Sequence, residues 1–390
     1  MKFTTSQLRV LDKIKDRKKI SRKKIAEELD LTPAAITKTL EPLLESGVVL
    51  EDSQGKSTGG RKPTDLVLNK DWIGKILGIS MTPREVIVSI SNINGEIFSW
   101  KKLAINLEDD CLDILKKIIA DNIEKTKNIK IISFVSTGLI NSTTGEIIFS
   151  PHYKWKRISI KERLEKQFNI PILIENDVRA MALSEKYFGC CASNKDYVVL
   201  NISEGIGSSM IINGDLFSGH GYISGEIGHV VMDRSSLRKC SCGKRGCLEA
   251  IASNSAIINR LESMIHLNNY SSLKEILKSN GKLEIKDVLK AVEKRDFLTT
   301  KVSTEAMVTL AHGIDMIISL LNPEKIILMG EIFKERLLLN TMKLELQKVT
   351  LEEQKYELVV SELLDNIHIY NPVSVVIHNL FRKNIWGGES

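Results

Sequence analysis

Apolar residues recur with helical spacing through SRKKIAEELDLTPAAITKTLEPLLESGVV, residues 21–49. The pattern predicts a short helix capped by Ser21 that buries Ile25, Ala26 and Leu29 on one face. A turn falls at Asp30, a residue type that tolerates the left-handed conformation. A second helix then starts sharply, with Thr32 as N-cap and Pro33 in the first helical position, and buries Ile36 and Leu40. Small Ala26 lets the two helices approach, which is helix-turn-helix spacing, and the exposed Ala34, Ala35, Thr37 and Lys38 are placed to enter a major groove. An ordinary helical hairpin has the same spacing. The next stretch, VVLEDSQGKSTGGRKPTDLVLN, has two β-rich ends around a Gly, Ser and Lys-rich tip and predicts a winged hairpin. Flexible glycines beside Arg61 and Lys62 suit a narrow, electronegative minor groove.

From residue 74 strands alternate with helices, so an α/β body is expected. ILGISMTPREVIVSISNINGEIF (76–98) and VVLNISEGIGSSMIINGDLF (198–217) both read as strand, short turn, strand and Asn-Gly hairpin. Two lobes that open on the same hairpin and face each other across a cleft describe the ribonuclease-H-like duplication of actin and the sugar kinases. Between these segments, IPILIENDVRAMALSEKYFG gives a strand ending in Glu175, Asn176 and Asp177, followed by an amphipathic helix. A carboxylate at a strand end is well placed to grip a hydroxyl.

Charge changes the picture at the N-terminus only. Residues 1–70 carry 15 Lys+Arg against 10 Asp+Glu, leaving 40 against 39 for the rest of the 390 residues. A short basic module on a neutral body is the electrostatic layout of a nucleic-acid reader, although a solvated helix end is equally basic. The start, MKFTTSQLRVLDKIKDRKK, has no apolar run like a secretory signal, and no later stretch approaches a charge-free membrane span, so a cytoplasmic protein with no membrane partner is expected. In a reducing compartment six cysteines are not a disulfide framework. Cys111, Cys190 and Cys191 are expected as small core residues, and the other three draw attention.

Those three lie in GEIGHVVMDRSSLRKCSCGKRGCLEA, residues 225–250. His229, Cys240, Cys242 and Cys247 offer one imidazole and three thiolates, a set that suits tetrahedral Zn²⁺ with no open position, hence a structural metal. Arg238, Lys239, Lys244 and Arg245 favour the thiolate form.

This run, the IENDVRAMALSE segment and LLNPEKIILMG (320–330) together resemble the ROK family of repressors and sugar kinases over essentially the whole chain. With the N-terminal reader, the chain resembles that family's winged-helix regulators of sugar genes, xylose genes among them. The resemblance implies an N-terminal winged helix-turn-helix domain (1–70) and a two-lobed ROK domain. Its first lobe spans 71–189, with residues from about 376 to 390 returning to it, and its second lobe spans 190–375 and carries the zinc loop. It also implies that the counterparts of Glu226, His229 and Glu249 contact a sugar, with Asn176 and Asp177 completing the polar ring. His152, in SPHYKW, stands where the kinases often have asparagine, which leaves the identity of the sugar open.

Asp177 is the counterpart of the kinases' general base, yet the phosphate contacts have changed. After the first strand the kinases carry Asp-x-Gly-x-Thr, whereas this chain has Ser80, Met81, Thr82, Pro83 and Arg84. The second phosphate turn reads Ser203-Glu204-Gly205-Ile206-Gly207-Ser208-Ser209, with an acid where a phosphate would lie, and the Gly-Gly after the NPE strand is Met329-Gly330. No catalytic residues are therefore expected, and Asp177 is read as a hydrogen-bond acceptor. The expected protein is a sugar-responsive regulator, most simply a repressor, that binds double-stranded operator DNA as a homodimer or a pair of dimers. The alternatives are an active sugar kinase with a fused DNA-binding domain, or a regulator that answers to a protein at the zinc loop.

Overall fold

The computed structural model describes residues 3–52, 64–106, 110–267 and 270–381. Two compact units emerge, one running to Phe188 and resuming at Asn366, the other spanning Gly189–Asp365.

The first unit begins with α1 (Thr5–Arg17), β1 (Ile20–Ser21), α2 (Arg22–Leu29), α3 (Pro33–Glu45), β2 (Val49–Asp52) and β3 (Asp65–Leu68). Ser21 Oγ accepts the Lys24 amide and Thr32 Oγ1 accepts the Ala35 amide, so α2 and α3 start at their expected caps. Asp30 closes α2 in the left-handed conformation at φ 52°, ψ 51°. Strands β2 and β3 pair antiparallel from Val49–Leu68 to Asp52–Asp65, and β1 joins the other edge of β3. The wing residues Arg61 and Lys62 lie outside the described residues.

The α/β part of this unit follows with β4 (Lys75–Met81), β5 (Glu85–Ser91), β6 (Ile97–Ala104), α4 (Cys111–Lys125), β7 (Ile129–Ser136), β8 (Leu139–Asn141), β9 (Glu146–Ser150), β10 (Trp155–Ser159), α5 (Ile160–Phe168), β11 (Ile172–Asn176) and α6 (Asp177–Tyr187). Its main sheet has the order β11-β7-β4-β5-β6, while β8, β9 and β10 form a separate antiparallel sheet. The second unit holds β12 (Tyr197–Ile202), β13 (Ile206–Ile212), β14 (Asp215–Phe217), α7 (Leu248–Ala252), α8 (Asn254–His266), α9 (Lys274–Asn280), α10 (Ile285–Glu293), α11 (Phe297–Leu321), β15 (Lys325–Met329), α12 (Arg336–Val349) and β16 (Glu357–Val360). Its sheet order is β14-β13-β12-β15-β16. In each main sheet three antiparallel strands are extended by two parallel ones, so the duplication expected from the paired Asn-Gly hairpins is present. In the second hairpin Asn213 (φ 54°) and Gly214 (φ 78°) both adopt the left-handed region, as a tight two-residue turn requires.

Two features differ from the sequence expectation, the point at which the chain returns to the first unit and the exposure of Cys190. The last helix, α13 (Ile367–Phe381), returns the chain to the first unit from residue 366, earlier than the expected 376, because its apolar face from Ile367 onward is already buried. Helix α11 is long and apolar enough to cross a membrane by length and composition, yet it carries Lys301, Glu305 and Asp315 and is not a charge-free span, and Val302, Ala306, Leu310, Ile314 and Ile317 on it are buried in the core of the second unit. Cys190 is exposed where a core position was expected, while Cys111 and Cys191 are buried.

The N-terminal module has no core of its own. Ile14, Ile25, Ile36, Leu40 and Leu66 form one apolar cluster with Ile76 of β4 and Val373, Val376 and Ile377 of α13. Lys15 of α1 lies over the Tyr187 ring at 4.2 Å and within 5.8 Å of the Phe188 ring centre, at the end of α6. Ile377→Ala is therefore expected to cost about 2–5 kcal/mol and to speed amide hydrogen exchange in α2 and α3 as well as in α13. Exchange unchanged in α2 and α3 would mean that the module stands on a separate core.

Candidate functional site

In the first unit the chemistry gathers where β11 passes into α6. Asn176 caps the helix: its Oδ1 accepts the Arg179 amide at 3.1 Å, and its Nδ2 donates to Gly138 O and to Asp177 Oδ1, both at 3.0 Å. Both amide hydrogens are thus engaged within the protein, and the role left to Asn176 is chiefly to orient Asp177. The Asp177 carboxylate sits in the first helical turn, where the helix dipole favours negative charge. Beneath it Glu175 is buried, accepting from Ser142 Oγ at 2.7 Å and lying 2.8 Å from Arg179 Nε. That last contact is an ion pair without hydrogen-bond alignment, and Arg179 Nη2 donates instead to Ile140 O at 2.5 Å. His152 is exposed in the turn between β9 and β10.

In the second unit three of the four expected metal ligands form one cluster, and the fourth, Cys247, lies beside Cys242. The donor atoms of His229, Cys240 and Cys242 lie within 4.8 Å of one another, and Cys242 Sγ is 3.7 Å from Cys247 Sγ. A tetrahedral ion with metal–sulfur bonds of about 2.3 Å holds its sulfurs about 3.8 Å apart, so the thiol spacing fits. His229 turns Nδ1 toward Cys240 Sγ at 3.4 Å and Nε2 toward Glu226 Oε2 at 3.7 Å. One ring nitrogen therefore faces the thiols and the other a carboxylate. Burial pushes the Cys240 thiol up to about 12. For Cys242 desolvation is outweighed by hydrogen bonds from the Lys244 backbone and the neighbouring thiols, and its thiol lies below the usual value. The loop needs Gly246 at φ 70°, since a Cβ there would stand 1.8 Å from Asp233 O.

Glu249 in α7 ties this loop to the second hairpin. Its Oε1 accepts from Ser241 Oγ at 3.0 Å, and its Oε2 accepts the Ile206 amide at 3.2 Å. An amide of the phosphate-turn sequence is thus already taken by a carboxylate. The Ser203 amide is likewise donated to Gly205 O at 2.9 Å. In the first unit the corresponding turn is closed on itself: Thr82 Oγ1 donates to Glu85 O and accepts the Glu85 amide, and Ser80 Oγ donates to His368 O at 2.7 Å. Neither turn presents a carboxylate–glycine–hydroxyl set to a metal-bound phosphate.

On the N-terminal module Ala34, Thr37 and Lys38 are exposed on α3, and Ala35 is half-buried. Much of the positive charge nearby is paired: Lys13 and Arg17 with Glu28, Lys19 with Asp52, Arg22 with Glu51. Exposed pairs of this kind are weak and exchange readily for phosphates. The sequence reading did not foresee the Glu175–Arg179 pair or the Lys15 contact. An acid and an arginine spaced i, i+4 across a strand–helix junction is the signal it passed over for the first, and the second joins distant parts of the chain.

Residues 76–367 match the ROK family. Over 396 residues and 96% of both chains, the protein is 28% identical to the xylose repressor of Caldicellulosiruptor bescii. It is 31% identical to the DNA-binding transcriptional dual regulator NagC of Escherichia coli K12 over 322 residues, 80% of this chain and 77% of that one. Among solved structures it is similar to a ROK family transcriptional regulator described as a homolog of the E. coli MLC protein, with TM-score 0.82, 26% identity and 96% of each chain covered. Arg179→Leu is expected to leave Glu175 buried and unpaired and to destabilise the chain by about 3–5 kcal/mol, read as the midpoint of urea unfolding. The double variant with Glu175→Gln should recover a large part of that loss.

Proposed function

The chain belongs to the ROK family, and on that footing we propose that it is a DNA-binding transcriptional repressor whose ROK body senses a sugar without phosphorylating it. What supports this reading is a helix-turn-helix module that shares one hydrophobic core with the first lobe of a sugar-kinase-like body, with both candidate phosphate turns closed by the protein's own groups. The relatives named as a xylose repressor and as NagC support carbohydrate genes as the target. Lys38, Thr37, Ala34 and Ala35 on α3, together with Arg61 and Lys62, are the proposed DNA contacts. In a cytoplasmic homodimer, two such modules would read a palindromic operator.

The proposed sugar ligands are Asn176, Asp177 and His152 of the first unit and Glu226, His229 and Glu249 of the second. Asp177 is the proposed principal acceptor, because Asn176 spends both amide hydrogens holding it. A sugar hydroxyl drawn onto Asp177 acts on the first residue of α6, the helix whose last residue, Tyr187, lies under Lys15 of α1. Binding energy that favours one position of α6 is thereby felt by the reading module.

His229, Cys240, Cys242 and Cys247 are the proposed ligands of a structural Zn²⁺, which when bound would fix the loop that carries Glu226 and Glu249. Elemental analysis is expected to find about one zinc per chain and to find it lost in Cys247→Ser, with a lower thermal midpoint. Zinc content unchanged in that variant would remove Cys247 from the ligand set.

The function is tested by screening D-xylose, D-glucose, N-acetylglucosamine and their phosphates for thermal stabilisation, then titrating each hit against an operator fragment selected from genomic DNA. One sugar should both raise the midpoint and shift operator affinity, and Asp177→Asn should abolish both effects. Steady release of ADP with any of these sugars would overturn the non-enzymatic reading in favour of a kinase.

A further inference from the structure

The turn that opens the second unit holds two adjacent cysteines in unlike surroundings. Cys190 is exposed, whereas Cys191 is buried at 0% exposure, and their sulfurs stand 3.8 Å apart. Two side chains hold this turn to the start of β15: Lys325 Nζ donates to Cys190 O at 3.4 Å, and Asn194 Nδ2 donates to Glu324 Oε2 at 2.9 Å. Inside the turn the Asn194 amide donates to Cys191 O at 3.2 Å.

Lys325 brings a positive charge to the pair. Its ammonium lies 3.0 Å from Glu357 Oε2, and it is held above the usual lysine value first by that carboxylate and then, against burial, by Cys190 and Cys191. The same attraction favours the thiolate, the form of cysteine that reacts with oxidants. Packing accounts for a cysteine at 191 but not for an exposed thiol at 190, where reactivity is the property that distinguishes the side chain. Exposure makes Cys190 the sulfur that an oxidant meets first, and burial reserves Cys191 for a second step.

We propose that Cys190 and Cys191 are a redox modification site, at which a hydroperoxide converts the two thiols into a disulfide between adjacent residues. In the first step the Cys190 thiolate attacks one oxygen of hydrogen peroxide and the O–O bond breaks. This leaves a Cys190 sulfenic acid and a hydroxide, which takes up the proton the thiol released and becomes water. In the second step the Cys191 sulfur attacks the Cys190 sulfur, the S–O bond breaks, and the departing hydroxide takes the Cys191 proton as a second water. The sulfurs give up two electrons and the peroxide accepts them. Adjacent Cα atoms lie about 3.8 Å apart across a peptide bond, below the roughly 4.4–6.8 Å of ordinary disulfides. The closed ring is therefore strained, and thiols reopen it readily, so the bond is a reversible mark and not a staple. The Cys190 carbonyl belongs to the peptide inside the ring, and its contact with Lys325 is the one that closure changes.

The test is peptide-resolved mass spectrometry of the full-length chain, reduced, exposed to hydrogen peroxide and then alkylated. Trypsin releases residues 187–195, which contain Cys190 and Cys191 and no other cysteine, so oxidation of the thiols at 240, 242 and 247 is read separately. The 187–195 peptide should appear unalkylated and two hydrogens lighter, and should regain both alkylatable thiols after dithiothreitol. Cys191→Ser should stop at a sulfenic acid that dimedone captures, and in Cys190→Ser the remaining thiol should be oxidised about tenfold more slowly. Lys325→Met should slow disulfide formation in an otherwise unmodified chain. Amide hydrogen exchange in residues 190–196 should change on oxidation and revert on reduction. Two alkylated thiols on the peptide under peroxide that fully oxidises free glutathione would overturn the proposal, as would oxidation of Cys190→Ser at the rate of the parent chain. Recovery of the peptide joined to a different cysteine peptide would overturn it as well, because the two sulfurs would then not be each other's partners.

Discussion

A carboxylate taken out of water must be paired, and in this protein that requirement sets the geometry of the first unit. Glu175 closes β11 in the interior, and Arg179 reaches back one helical turn to meet it while bonding Ile140 O. The pair joins the last strand of the sheet to the first turn of α6, and the Asn176 cap aims Asp177 from the same junction. Replacement of such a pair by apolar residues is often tolerated, whereas loss of one partner is not, so its value here lies in fixing a direction. The direction it fixes is that of a helix with the candidate ligand group at one end and the base of the DNA-reading module at the other.

The second unit meets a comparable problem with different chemistry. Residues 218–247 carry little regular structure, so their backbone and the Glu226 and His229 side chains need another source of order. The Glu249 carboxylate supplies one by joining Ser241 to the Ile206 amide, and the thiols beside the His229 imidazole would supply another with a metal bound. The Glu249 carboxylate also occupies an amide of the turn that the resemblance aligns with a kinase phosphate turn.

The proposed coupling between the N-terminal module and the Asp177 site would run through the first unit. The module and the α/β part share one apolar cluster through β4 and α13, and Lys15 adds a contact between a cation and the rings at the end of α6. A module with its own core and a loose linker would rotate freely whatever happened at Asp177. One that shares its core is biased by small shifts of α6 and α13, because packed interiors reposition as units.

Local patterns were enough for the helix-turn-helix caps at Ser21 and Thr32, the paired hairpins at Asn94-Gly95 and Asn213-Gly214, and the spacing of His229 with three cysteines. In each case the signal lies within a short stretch of chain: a side-chain oxygen meeting a free amide, a turn needing left-handed backbone, donor types that suit one ion. Tertiary structure alone decided that the chain returns at Ile367 to finish the N-terminal core, that apolar α11 lies against a protein interior, and that Glu249 closes on Ile206. Those outcomes depend on groups far apart in sequence competing for the same buried space and the same hydrogen bonds, and that competition has no periodicity to read along the chain.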